Sequence, residues 1–187
     1  MHPLFGIVSL KSKYNIEFKG LNEGLHDYQF EVNDKFFEHF DESLVDKGKV
    51  NVKVELEKRS AFLKLSFALE GWLELVCDRC LDNYPQDVSL ETELFVKFGE
   101  EDEFDEGENV IWILPEEHAI SLAQIMYEYV TLSIPLRHVH PDENGENSCN
   151  QEMIDRLNNI TQHEADENEE EEIDPRWAAL KNLKNNN

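Results

Sequence analysis

Three cysteines and a nearby pair of histidines give this 187-residue chain the side chains of a metal site. Cys77 and Cys80 stand three positions apart in a Cys-Asp-Arg-Cys segment, a spacing at which two thiolates can chelate one zinc ion. A closed structural zinc site needs four ligands. The other two would come from His138, His140 and Cys149, and the predicted set is Cys77, Cys80, Cys149 and His140.

The spacing of these residues leaves a simpler interpretation open. Zinc knuckles usually carry a second tight ligand pair, and this sequence has none, so Cys77 and Cys80 can equally be two reduced thiols at a β-turn. A thioredoxin-like redox role is disfavoured because no βαβ context surrounds the motif. Whether zinc is the cofactor is therefore undecided by the sequence.

The composition narrows the class of function. Lys and Arg number 17 against 41 Asp and Glu, a net charge of −24, which disfavours general nucleic-acid binding and favours basic partners. The chain lacks a glycine-rich phosphate loop, a Gly-x-Ser-x-Gly elbow and a His-Glu-x-x-His motif, so we expect no enzyme. We expect a cytoplasmic protein with reduced thiols, because residues 1–10 do not resemble a signal peptide and no stretch approaches a membrane span.

Strands must position the first cysteine pair. Alternation with period two predicts strands at 14–19, 27–32, 50–57 and 88–98, and a long strand at 62–76 with a bulge or bend at Gly71. The connections between the strands predicted at 50–57, 62–76 and 88–98 are short, which favours an antiparallel meander. We expect an α+β fold, and partial closure into a barrel is one way in which such long strands would hide their edges.

Helices and loops complete the prediction. Residues 35–40 suit a helical turn, 99–109 an acidic mobile loop and 110–114 a short strand. Ser121 and Gln124 fit a capping box that begins a helix ending near Leu132 and packing on the sheet. Its predicted apolar face comprises Leu122, Ile125, Met126 and Tyr129.

We divide the chain into a β-rich globular domain at 1–141, a polar to acidic disordered linker at 142–173 and a short docking helix at 174–184. Eight of the residues in 164–174 are acidic, which is typical of a linker. In the final helix Asp174 can cap the first turn and Pro175 suits the first helical position. Trp177 and Leu180 fall on one face, which needs a surface to cover it, either the protein's own sheet or a ribosomal partner.

Three segments occur in a characteristic order: Cys-Asp-Arg-Cys-Leu at 77–81, Leu-Ser-Ile-Pro-Leu at 132–136 and Ile-Asp-Pro-Arg-Trp-Ala-Ala-Leu-Lys at 173–181. In this combination the chain resembles the YceD-like family of large-ribosomal-RNA-subunit accumulation proteins. The resemblance implies support of 23S rRNA accumulation and of large-subunit biogenesis. Many relatives carry several cysteines after the Leu-Pro segment, which would complete a metal site, whereas this chain has only Cys149 there.

The expected mechanism is that of an acidic adaptor that binds a basic large-subunit ribosomal protein until rRNA displaces it. The alternative is a zinc-dependent module that binds 23S rRNA directly. The residues predicted to contact the partner are Arg79, Asp174, Pro175, Arg176, Trp177 and Leu180.

Overall fold

The fold is built on one large sheet of five strands. The computed structural model describes residues 13–99, 109–143 and 146–166. Its strands are β2 Gly24–Asn33, β3 Gly48–Lys58, β4 Phe62–Val76, β5 Asn83–Phe98 and β6 Val110–Ile113. They lie in the sheet in this same order, and all neighbours are antiparallel except the parallel pair β5 and β6.

Smaller elements flank this sheet. Two short strands, β1 and β7, pair with each other. After the second helix, the two-residue strands β8 and β9 form a small antiparallel hairpin. No helix among the described residues has the length and hydropathy needed to cross a membrane. The bounds are β1 Asn15–Glu17, α1 Asp34–Phe37, β7 Ala119–Ser121, α2 Ala123–Leu132, β8 Asp142–Glu143, β9 Glu146–Asn147 and α3 Gln151–Asp166.

Alternating side chains give the sheet one buried and one open face. In β3 the residues Val50, Val52, Val54 and Leu56 are fully buried, and the residues between them are exposed or partly exposed. Burying each such side chain stabilises the fold by about 1.5–3 kcal/mol. The period-two pattern therefore predicted both the strand and the direction of its core face.

Aromatic contacts attach the helices to the buried face of the sheet. Phe67 of β4 meets Tyr129 of α2 edge to face, with ring centroids 5.1 Å apart. Phe40, just after α1, stacks on Tyr127 of α2 at 4.2 Å. These pairs place α2 across the inner face, so that the chain leaving α2 arrives at one end of β4.

The structure confirms the meander and the packed helix but differs from the sequence prediction in detail. The sheet is mixed, because β6 joins β5 in parallel, and it does not close into a barrel. Gly71 forms no bulge: the register of β3 with β4 is continuous through it, and an added Cβ would lie 2.1 Å from the Lys49 carbonyl oxygen. Close strand contact, not a bend, therefore requires glycine here.

The predicted capping box is wrong. Ser121 lies in β7, and Leu122 occupies the N-cap position of α2 without a side-chain hydrogen bond. Gln124 donates to Glu128 one turn further on (2.9 Å). Leu122 instead anchors the helix start by burial and by donating its N–H to the Tyr14 carbonyl (2.8 Å).

Part of the predicted linker at 142–173 has secondary structure. It contains the hairpin of β8 and β9, a buried Cys149 and the helix α3 over Gln151–Asp166. Most of the predicted acidic loop at 99–109 lies outside the described residues. The predicted docking helix at 174–184 also lies outside them, with Asp174, Pro175, Arg176, Trp177 and Leu180.

Candidate metal centre

The first two cysteines lie in a tight turn that leaves the end of β4. The Cys77 N–H donates to the Asp82 carbonyl (2.9 Å), and the Leu81 N–H donates to the Cys77 carbonyl (3.0 Å). Leu81 closes the turn with a φ of 64°, a left-handed conformation that costs a non-glycine residue about 1 kcal/mol. The turn directs both cysteine side chains inward, and both are buried.

The chain beyond α2 is held to this turn by hydrogen bonds of backbone and side-chain groups. The Asp78 N–H donates to the His138 carbonyl (2.8 Å), and the His138 N–H donates to the Asp78 carboxylate (2.8 Å). The His138 side chain donates from Nδ1 to the Val76 carbonyl (2.8 Å). These bonds fix the position of His138 and place His140, two residues further along, beside the cysteines.

The third cysteine returns to the same point after the hairpin of β8 and β9. Ser148 donates from its hydroxyl to the Pro141 carbonyl (2.7 Å), and Asn150 donates to the Asp82 carboxylate (3.2 Å). The helix α3 begins one residue later. Cys149 is consequently held in the interior at 5% exposure.

Together these segments form a compact group, the cysteine–histidine cluster of Cys77, Cys80, His140 and Cys149. One donor atom from each residue lies within 4.8 Å of all the others. Cys77 Sγ is 3.8 Å from Cys149 Sγ, and His140 Nδ1 is 3.4 Å from Cys80 Sγ and 3.7 Å from Cys149 Sγ. The cluster could hold a metal ion.

The separations suit tetrahedral coordination. With Zn–S near 2.3 Å and Zn–N near 2.0–2.1 Å, tetrahedral angles place two sulfurs about 3.8 Å apart and a sulfur and a nitrogen about 3.6 Å apart. The three quoted distances fall within about 0.2 Å of these values. These three pairs therefore already have separations close to tetrahedral values, and all four donors lie within 4.8 Å of one another.

The cluster already favours one thiolate. Burial opposes ionisation of Cys77, but hydrogen bonds from backbone N–H groups, those of Cys80 and Arg79 first, outweigh it and lower the pKa of Cys77 to about 6. Burial, followed by hydrogen bonds and repulsion from Cys77 and Cys80, raises the pKa of Cys149 to about 11. Two buried thiolates repel each other unless a cation lies between them, which is the electrostatic situation of a metal site.

A neighbouring tyrosine completes the surroundings. The Tyr84 ring lies 4.8 Å from the His140 ring, tilted by 33°, and so restricts the imidazole orientation. Burial, and then the negative charges of Cys77 and Asp78, raise the pKa of Tyr84. The raised pKa keeps the Tyr84 hydroxyl protonated and uncharged beside the cluster. This hydroxyl donates a hydrogen bond to the Gln86 side chain (2.8 Å).

The structure brings together the four residues that the sequence named as ligands. His138 does not belong to the cluster, and its Nδ1 donates to the Val76 carbonyl; Arg79 is partly buried in the turn. The sequence reasoning missed Tyr84, Asp78 and Asp82, which position the cluster. The adjacency of Asp78 and Asp82 to the cysteines was a signal for a braced turn, whereas Tyr84 lay in the connection between two predicted strands and carried no signal.

By fold and site, the protein is an α+β domain on one mixed sheet, with a cysteine–histidine cluster able to hold a metal ion. The model of the YceD family, described as the large ribosomal RNA subunit accumulation protein, matches residues 65–184, and the chain belongs to this family. It is 27% identical over 135 residues, 72% of this chain and 73% of the relative, to the uncharacterized protein YlbN of Bacillus subtilis (strain 168). No solved structure matches the chain.

Proposed function

We propose that this protein is a non-enzymatic factor that supports 23S rRNA accumulation during large-subunit biogenesis by binding a basic large-subunit ribosomal protein. The family description supports the biogenesis role. The net charge of −24 supports a basic partner, because free polyanionic RNA is repelled by such a surface.

The observation that carries the proposal is the open face of the sheet. Four of its strands, β2 to β5, present outward carboxylates there, such as Glu55, Glu70 and Glu91, and these carboxylates outnumber the outward lysines. A wide acidic surface on a rigid sheet can shield a basic protein before assembly. Ribosomal RNA, with its higher charge density, would then displace the factor.

We further propose zinc as the ion of the cysteine–histidine cluster, in a structural role. Three thiolates and one imidazole are a common donor set for structural zinc, and four protein ligands leave no open position for a substrate. The ligands come from the β4 turn, the segment after α2 and the start of α3. Binding would therefore hold these three parts of the chain together without taking part in chemistry.

Salt dependence of binding tests the proposed function. Binding of purified basic large-subunit ribosomal proteins to the immobilised full chain is measured at low salt and at about 1 M salt, where the Debye length is about 3 Å. We expect binding that weakens strongly with salt. Equal binding at both salt concentrations, or tight selective binding of 23S rRNA fragments by the protein alone, would contradict the adaptor mechanism; the RNA result would favour the zinc-dependent RNA-binding alternative.

A further inference from the structure

A shallow groove, here called the outer groove, crosses the open face of the sheet. It consists of two adjoining depressions of about 650 and 640 Å³ that share Gln29, Lys53, Ala68 and Glu91. Small side chains of the central strand, Ser66 and Ala68, form its floor. Longer side chains of β3 and β5, the strands on either side, rise around that floor.

Unpaired carboxylates surround this floor. Among the described residues no ion pair joins Asp27, Glu55, Glu70 or Glu91, each of which is exposed and lines one or both depressions. Of the described lining residues, Lys53 is the only cation. The groove therefore combines a cleared floor with a surplus of negative charge that the protein itself does not neutralise.

The pKa of Lys64, at the end of the groove, shows that the electrostatic potential on this face is negative. Lys64 lies on the same face two residues before Ser66, and a hydrogen bond to Glu93 is the first cause that raises its pKa. The charges of Glu93, Glu57 and Glu55 raise that pKa further. A positive side chain brought onto this face is thus stabilised by carboxylates of the two strands that flank β4.

We propose that the outer groove binds an extended, lysine- and arginine-rich segment of the partner protein. This inference rests on the proposed function and specifies where and how the basic partner binds. The strands on either side of β4 are about 10 Å apart, since neighbouring strands are spaced by about 4.8 Å. That width admits one extended chain, whereas a helix with side chains measures about 10–12 Å across.

The test compares two triple variants of the full chain that lose the same charge. The groove variant carries Asp27→Asn, Glu55→Gln and Glu91→Gln. The control variant carries Glu23→Gln, Glu116→Gln and Glu117→Gln, at exposed positions that do not line the groove. Because all six side chains are exposed, we expect both proteins to melt within about 2 °C of wild type.

Binding of a fluorescent arginine–lysine nonapeptide is measured by anisotropy at low salt. We expect the groove variant to bind about tenfold more weakly and the control variant to change by less than about twofold, since exposed ion pairs are individually weak and short-ranged. Ala68→Gln, which fills the floor without changing charge, should weaken binding to a similar extent. Equal losses in the two triple variants, or no loss in any variant, would overturn the proposed site.

The two proposals fail in distinguishable ways. If a purified basic ribosomal protein binds wild type and the groove variant equally, the adaptor function stands and the groove is not its site. If that protein binds neither the wild type nor the control variant, the adaptor function itself is wrong. Loss of binding in the groove variant alone supports both proposals.

Discussion

Removing zinc from the cysteine–histidine cluster is expected to lower the melting temperature by about 8–16 °C. Three of the donor separations, 3.8, 3.4 and 3.7 Å, already match a tetrahedral site, and all four donors lie within 4.8 Å of one another in the folded chain. At a free zinc concentration about a thousand times the dissociation constant, binding adds about 4 kcal/mol to the free energy of unfolding. For a chain of this length each kcal/mol corresponds to about 2–4 °C.

Calorimetry and metal analysis of protein purified without a histidine tag check this prediction. We expect about one zinc per chain in the wild type, and both the metal and the extra thermal stability to be lost after treatment with a strong chelator. Cys149→Ser should abolish retention of zinc through dialysis. His138→Ala is the matched control and should retain zinc, because its ring bonds Val76 outside the cluster.

The zinc interpretation would be refuted by less than about half a zinc per chain in the wild type, with a melting temperature unchanged by the chelator. Equal zinc content in Cys149→Ser and wild type would refute this ligand set. In the first case the cluster would be three reduced, buried thiols beside an imidazole, in agreement with the simpler interpretation of Cys77 and Cys80 as reduced thiols.

Other predictions concern the close strand contact and the protons of the cluster. Gly71→Ala should lower the free energy of unfolding by about 3 kcal/mol, because the new Cβ would overlap the Lys49 backbone. In the same urea titration the control Gly20→Ala, which has open space around its Cβ position, should change the free energy of unfolding by less than about 0.5 kcal/mol. Zinc added to stripped protein at pH 8 should release at least one proton, that of Cys149, whose metal-free pKa is about 11; a weakly buffered indicator assay that records none would contradict this assignment. The free energy of unfolding of the metal-free protein should decrease as the pH falls from about 9 to below 6. The reason is that folding lowers the pKa of Cys77 from 9.0 to about 6, and the stabilisation by its thiolate is lost on protonation. Denaturant titrations of wild type and Cys77→Ser should therefore differ in this pH window.

The strands that form the meander were readable because local pattern and burial agree in them. In β3 every second residue is buried, and β4 begins and ends where its apolar alternation does. The parallel pairing of β6 with β5 was not readable, because it depends on how the chain returns to the sheet edge. The start of α2 was misread since burial of Leu122 outweighs the local capping preference of Ser121.

The candidate site shows a similar division. Residue type and the spacing of Cys77 and Cys80 indicated half of a metal site, and His138, His140 and Cys149 were the candidates for the other half. Their convergence depends on tertiary bonds, such as those between Asp78 and His138, which no local pattern specifies. The groove on the open sheet face was invisible in the sequence, because its carboxylates come from four different strands.

The ratio of 23S to 16S rRNA in cells depleted of this protein is the most direct measure of the central claim. Because the protein is proposed to support the large subunit alone, depletion should lower the 23S level relative to 16S, and the wild-type chain supplied from a plasmid should restore it. An unchanged ratio under full depletion, with both rRNAs at normal levels, would contradict the proposed function.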